Sequence, residues 1–237
     1  MKALILAAGF GSRLMPITEN LPKSLVKVNG KPILFKQIEN LISNGISDIT
    51  VVSGYKGEVL KEEVGKAFPF VKIIYSKDYE TTNNMYSAYL GIREMGESEF
   101  LMMNADVFFD CSVIKALLDF DYPDAVVTDI GNYLEESMKV TEKNGYLKAI
   151  SKTISKEDAL GCSIDVYKFS VRGGQAFYDK CREYIETKKE LKLWSEVALN
   201  DIFDKVNFRA CPLDGRWFEI DNHDDLAAAE KLFGEHC

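Results

Sequence analysis

What most constrains this chain is an alternation in its first half. Short apolar runs of strand length recur, each separated from the next by a stretch long enough for a helix. Ala3 to Ala8 is an unbroken apolar run ending in Gly9, the pattern of a strand buried on both faces. Ile33, Leu34, Gln37, Ile38, Leu41 and Ile42 then recur at helical spacing, and Asn44-Gly45 stops that helix. Asp48 to Ser53 is a second β-rich run closed by Gly54, and Lys56 to Lys66 reads as a charged helix. Val71 to Tyr75 is a third strand. Met85, Ala88, Tyr89 and Ile92 mark another helical face. Phe100 to Met103 is a fourth strand, running into Asn104-Ala105-Asp106. Strands spaced by helices in this way give βαβ units and a mainly parallel sheet.

After Leu118 the rhythm weakens. Ala125 to Thr128 is β-like, and Met138 to Thr141 and Tyr146 to Ile150 flank Asn144-Gly145, a hairpin signal. Val166 to Phe169 reads as a strand, and Gln175 to Thr187 and Trp194 to Phe203 as helices. Phe208 to Cys211 reads as β, and Asp224 to Phe233 as a closing helix. The expectation is an α/β fold over residues 1–237 as one domain, with a small antiparallel substrate-side subregion. No linker, repeat or low-complexity stretch interrupts it.

Composition closes off several functions. Lys plus Arg number 29 against 37 Asp plus Glu, a net charge of −8, which argues against a nucleic-acid partner. With five scattered Cys, no CxxC and only His223 and His236, a zinc site is not expected, and unpaired thiols fit a reducing cytosol. No apolar run approaches the ~20 residues of a membrane helix, and the N-terminal run is too short for a signal-peptide core. A cytoplasmic protein without a membrane partner is expected. The oligomeric state is not legible.

The stretch Leu6 to Pro32 reads LAAGFGSRLMPITENLPKSLVKVNGKP. Its small residues and two glycines let backbone N–H groups approach an anion. Arg13 ends that loop with a guanidinium that can fork onto phosphate oxygens, and Lys23 adds a compact charge. These are the parts of a triphosphate cradle. A Walker loop is absent. The dinucleotide fingerprint fails too, because Leu14 stands where its third glycine belongs and no acidic residue ends the second strand.

The ordered string LAAGFGSRL…P…T…PKSLVKVNGKP resembles the signature of the sugar-phosphate nucleotidylyltransferases. Within them it is most similar to the small cytidylyltransferases that activate phosphocholine. Val28 to Pro32, Ser53-Gly54-Tyr55, Asn83 to Ser87 and Glu219-Ile220-Asp221 add to the likeness. The resemblance implies a Rossmann-like mixed, mainly parallel sheet with helices on both faces. It implies transfer of CMP from CTP to a small phosphorylated acceptor with Mg²⁺, phosphocholine-like or phosphoglutamine-like, for surface-polysaccharide decoration. Carried over by position, Leu6, Ala7, Ala8, Gly9, Gly11, Ser12 and Arg13 would hold the nucleotide, with Gly54, Tyr55, Asn83, Asn84 and Ala105 around it. Arg13 and Lys23 would serve catalysis, and Asp106 and Asp221 the metal. Asn104-Ala105-Asp106 departs from the usual Gly-Asp of sugar-phosphate members.

Between residues 110 and 217 the likeness is weak, and Lys23, Tyr86, Trp194 and Glu196 are the expected acceptor contacts. Trp194, Trp217, Tyr86, Tyr133 and Tyr167 could also cage a quaternary ammonium, though such spread aromatics more often pack in a core. Locally, Asp106 and Asp221 could each cap a helix, Tyr55 could pack in the core, and Asn83-Asn84 could form a turn. A uridylyl- or thymidylyltransferase acting on a sugar 1-phosphate is the alternative reading, and a nucleotide-binding regulatory module a further one.

Overall fold

The structure, a computed structural model, describes residues 1–234. His236 and Cys237 lie outside the described residues. In chain order the first half comprises β1 (Lys2–Ala7), β2 (Lys27–Val28), β3 (Lys31–Pro32), α1 (Ile33–Ser43), β4 (Ile49–Ser53), α2 (Gly57–Ala67), β5 (Lys72–Tyr75), α3 (Asn84–Met95), β6 (Phe100–Asn104), β7 (Val107–Phe109) and α4 (Cys111–Asp119). The second half adds β8 (Ala125–Ile130), β9 (Lys139–Lys143), β10 (Tyr146–Ser151), β11 (Gly161–Phe169), α5 (Val171–Arg182), α6 (Ser195–Asn200), β12 (Arg209–Pro212), β13 (Trp217–Glu219) and α7 (His223–Gly234).

Nine strands form one mixed sheet in the order β10-β9-β11-β6-β1-β4-β5, with β8 on the other side of β11 and β12 beyond it. The pairs β6-β1, β1-β4 and β4-β5 are parallel, and β11 runs antiparallel to β6. The continuous apolar run of β1 follows from this position. Leu4 and Leu6 pack under α3, α5 and α6, whereas Ala3, Ile5 and Ala7 pack under α1, α2 and α4. Both faces of the strand are buried, so neither can be polar. A third cluster joins Leu14, Val26, Val28 and Ile33 to Phe108, Ile220 and Phe233. It seats the segment after the glycine loop against α7.

The expected α/β fold with helices on both faces is what forms, and the Asn144-Gly145 hairpin joins β9 to β10 with both residues at positive φ. Several elements differ from expectation, among them the helix expected over Trp194 to Phe203, which forms over Ser195–Asn200. The strand expected at Val166–Phe169 begins at Gly161, because β11 exchanges partners part-way: Val166–Phe169 pair with β6, and Gly161 and Cys162 with β9. Its register against β8 shifts between Ser163 and Tyr167, and Asp165 in that bulge has φ 57°. The helix expected from Gln175 starts at Val171, where Ser170 accepts from the Gly173 N–H as its cap. The short strands β7 and β13, three residues each, form a separate ribbon. At that length they carry no period to read.

Candidate active site

Strand order reverses at β1, which has β4 on one side and β6 on the other. In open α/β sheets such a switch point leaves a crevice beyond the strands' carboxyl ends. Here it is a cleft of about 310 Å³. The ends of β1 and β6 are tied at its floor, where the Ala105 N–H donates to the Leu6 carbonyl at 3.0 Å.

Leu6, Ala7, Ala8 and Gly9 line the cleft as the chain leaves β1, and Ala105 lines it beside them. No atom lies within 4 Å of where a Gly9 side chain would point, so the backbone there is open to a ligand. Gly11 has φ +65°, and a Cβ on it would stand 2.7 Å from the Lys23 Cβ. Only glycine lets the lysine stem pass. Gly11 and Ser12 form the turn behind the cleft wall, and Thr18 Oγ1 donates to the Gly11 carbonyl at 2.8 Å. The His223 ring nitrogen Nε2 meets the Met15 carbonyl at 2.7 Å.

Lys23 is the hinge of the charge arrangement. Its ammonium donates to Asp106 Oδ2 at 2.8 Å and to Asp221 Oδ1 at 2.6 Å, and Arg13 Nη2 reaches Asp221 Oδ2 at 2.8 Å. Burial alone would lower the Lys23 pKa. The two carboxylates outweigh it and hold the ammonium above its ordinary value. Burial would likewise raise Asp221, but the charge and hydrogen bond of Lys23, with Arg13, keep it ionised below its usual range.

Asp106 follows β6, and Asp221 follows the β13 strand that pairs with β7, so the ribbon brings both to one point. Ile220 N–H donates to the Asp106 carbonyl at 2.9 Å. Glu219, two residues before Asp221, turns to the same side. One oxygen from each of Asp106, Glu219 and Asp221 lies within 4.8 Å of the others. Burial, then the charges of Asp106 and Asp221, pushes the Glu219 carboxyl up to about 7. Asp106 Oδ1 is buried without a hydrogen-bond partner among the described residues. An all-oxygen set with an orphaned carboxylate oxygen fits a hard divalent cation.

A second pair of carboxylates lines the same cleft. Asp165, held outward by the β11 bulge, accepts from Asn104 Nδ2 at 2.9 Å and from the Tyr167 hydroxyl at 3.0 Å. Glu196, in the first turn of α6, accepts from the same Tyr167 hydroxyl at 2.9 Å and from Ser195 at 3.1 Å. Lys152 and Trp194 stand at the rim, the lysine nitrogen 5.6 Å from the indole centroid.

Of the residues expected from sequence, Arg13, Lys23, Asn83, Asn84, Asp106, Trp194, Glu196 and Asp221 line the cleft with the β1 end and Ala105. Asn83 caps α3 and accepts from the Asn84 N–H, and Asn84 Oδ1 accepts from Ser195 N–H, tying α3 to α6. Gly11, Ser12, Gly54, Tyr55 and Tyr86 do not line it. A Cβ on Gly54 would meet the Ala8 carbonyl at 2.6 Å. Tyr55 donates to the Thr18 and Glu19 carbonyls, and Tyr86 to Asp78. The five aromatics do not assemble into a box either. Trp217 donates to Asp129, and Tyr133 faces the buried Lys139. Sequence reasoning passed over Glu219, Asp165 and Lys152. Glu219 carried a signal, since Glu-Ile-Asp on a strand puts both carboxylates on one side. Asp165 carried a weaker one, as a charge inside an apolar strand.

A glycine loop, two converging cations and an acidic group at the sheet's switch point define a phosphate-handling transferase site. Residues 2–156 match the sequence profile of the nucleotidyl transferases, and the chain belongs to that family. Among its relatives is the CTP:phosphoglutamine cytidylyltransferase of Campylobacter jejuni, 30% identical over 248 residues that cover 95% of this chain and 98% of the relative. The choline-phosphate cytidylyltransferase of Streptococcus pneumoniae is 48% identical over 101 residues, 41% of this chain and 42% of its own. A solved structure of the CTP:phosphocholine cytidylyltransferase from Streptococcus pneumoniae matches with TM-score 0.79 at 25% identity, covering 97% of each chain. Among the described residues no helix is long and apolar enough to cross a membrane.

Proposed function

We propose that this protein is a cytidylyltransferase that transfers CMP from CTP to a small phosphorylated acceptor, phosphocholine-like or phosphoglutamine-like, and releases pyrophosphate. The observation that carries the reading is the meeting of the open Ala8-Gly9 backbone, Arg13 and Lys23 with Asp106 and Asp221 at one point. The relatives named above supply the choice of CTP. A phosphate oxygen of the acceptor attacks the α-phosphorus. The bond from that phosphorus to the bridging oxygen breaks, and its electron pair leaves with pyrophosphate. Lys23, held protonated, and Arg13 exchange carboxylate partners for phosphate oxygens as the nucleotide enters. They neutralise charge as it builds. The attacking phosphate is already ionised, so no general base is required of either histidine. Asp106, Asp221 and Glu219 are the residues to hold Mg²⁺, which when bound supplies further neutralisation of phosphate charge. Trp194 and Glu196 stand where the acceptor's far end would lie, while Gly54 and Tyr55 brace the nucleotide loop from behind. The unpaired thiols of Cys111, Cys162, Cys181 and Cys211 suit a cytoplasmic reaction, and surface-polysaccharide decoration is the use we assign to its product.

The test is pyrophosphate release from each of CTP, UTP, dTTP and ATP against a panel of phosphorylated acceptors with Mg²⁺. CTP should lead, with a small phosphorylated amine or amide. UTP or dTTP leading with a sugar 1-phosphate would move the protein to the sugar-nucleotide branch. Binding without release would make it a regulatory module.

A further inference from the structure

The acidic end of the cleft carries an argument about the acceptor, and it rests on the reading just given. Asp165, Tyr167 and Glu196 are 9%, 1% and 3% exposed. The Tyr167 hydroxyl lies within hydrogen-bond reach of both carboxylates, but it has one proton and can donate to only one of them at a time. Ser195 donates to Glu196 Oε1 as well, so that oxygen is served. Glu196 Oε2, on a side chain lining the cleft, is buried with no hydrogen-bond partner among the described residues. Lys152 at the rim acts on Glu196 through its charge, but among the described residues no cation is bonded to either buried carboxylate, and such groups are costly unless paired and hydrogen-bonded. Burial raises both carboxyls, and the neighbouring charge of Glu196 raises Asp165 further. What the pair lacks is a positive charge that donates hydrogen bonds to it directly.

We propose that Asp165 and Glu196 form the head-group subsite for the acceptor. They select a phosphorylated compound whose far end is a primary or secondary ammonium, over one that is quaternary or neutral. Arg13 and Lys23 serve the phosphate in one part of the cleft, and the carboxylate pair serves the head group in another. An ammonium offers up to three donors, enough for Glu196 Oε2 and the open lone pairs of Asp165. A trimethylammonium has no N–H, leaves Oε2 orphaned and relies on aromatic faces instead. Those faces are sparse. Tyr79 and Trp194 are the aromatic residues lining the cleft, and Trp194 is 46% exposed, with the Lys152 nitrogen near its ring. A neutral hydroxyl supplies one donor and no charge.

Equilibrium binding to the full chain, with Mg²⁺ and a non-hydrolysable CTP analogue present, tests this with two matched pairs. Ethanolamine phosphate is set against choline phosphate. Phosphorylated glutamine with a free α-amine is set against its N-acetyl counterpart. In each pair the N–H-bearing ammonium should bind at least ~10-fold more tightly, the scale on which a site built to hydrogen-bond rejects an analogue lacking the donor. Glu196→Gln should bring that ratio to within about twofold of unity in both pairs. Equal or reversed affinities in both pairs, or a ratio that survives in Glu196→Gln, would overturn the proposal. Pyrophosphate release is recorded in parallel. Absence of release with every acceptor would count against the cytidylyltransferase reading, whereas the binding ratios report on the subsite whether or not turnover occurs.

Discussion

The two ends of the cleft are built in different ways. The phosphate-facing end comes from one stretch of chain, Leu6 to Lys23, folded over a single strand end. The acidic end is assembled from a bulge in β11 and the first turn of α6, which meet only in three dimensions. A contiguous end needs only local geometry, so its residue types and spacing are fixed together. An assembled end depends on remote packing, and its chemistry can change without disturbing the strand that supports it. The carboxylates proposed to hold the metal belong to neither pattern, since Asp106 follows β6 and Asp221 follows the ribbon beside it.

The comparison is most exposed to failure where the two ends meet. Asp106→Asn should reduce divalent-cation-dependent pyrophosphate release to background, with the circular dichroism spectrum unchanged, because the amide keeps the shape and loses the charge a hard cation needs. An unaltered cation titration would put the metal elsewhere. Next comes the contiguous end itself. Lys23→Ala and Arg13→Ala should each lower kcat/KM at least ~100-fold, the scale of one preorganised charge contact. Turnover near that of the parent would detach the loop from the chemistry.

Support from outside the cleft should have a smaller effect. The buried Gln37 amide donates to the Asn104 and Val107 carbonyls, both at 2.8 Å, and so holds the turn that presents Asp106. Gln37→Leu leaves two buried carbonyls unpaired. It should cost about 1–3 kcal/mol in urea unfolding and lower kcat more than it raises KM. A stability loss with kcat unchanged would show that the turn stands without it.

The acidic side should also respond to pH. With its carboxyl near 7, Glu219 is protonated in the folded chain at pH values where the unfolded chain has released that proton. Apparent affinity for a divalent cation, read with Mn²⁺, should therefore rise between pH 6 and pH 8 as the proton leaves. A flat profile would remove Glu219 from the ligand set. The smallest effect is expected at the ribbon's outer edge, where Arg216 donates through its N–H, Nε and Nη2 to Asp110. Burial would raise the Asp110 carboxyl, but those bonds and the charge of Arg216 hold it below its ordinary value. Its contribution is present at neutral pH and is lost as pH falls through that lowered value. Because the pair is partly exposed, Arg216→Lys should cost about 1 kcal/mol at pH 7 and little at strongly acid pH.

The sequence was legible where structure is periodic or contiguous. The buried strand at Ala3–Ala8, the helix ending at Asn44-Gly45, the hairpin at Asn144-Gly145 and the loop with Arg13 and Lys23 all declare themselves within a few residues. The β7–β13 ribbon does not, because three residues hold no period and its partners lie far apart in the chain. Asp165 was hidden for a related reason. A bulge with positive φ at a non-glycine residue is imposed by the strand's two sets of neighbours, and nothing local requires it. Tyr55 and Tyr86 show the converse. They sit near the right place in sequence, yet their hydroxyls turn to backbone and to Asp78.

The Lys23 ammonium joins residues 83 and 198 positions away along the chain. It acts as a reversible staple across most of the polypeptide, without a covalent bond. A cross-link that closes a long loop restricts the unfolded chain more than one closing a short loop, and the restriction grows slowly with length. Whatever strengthens this junction therefore also ties the first strand's loop to the ribbon and α7. Nucleotide and cation, which would take over the partners that Lys23 and Arg13 give up and so link the same loop and ribbon, should protect the chain around residues 214–234 from proteolysis and amide hydrogen exchange, even though α7 itself contributes no side chain to the cleft lining.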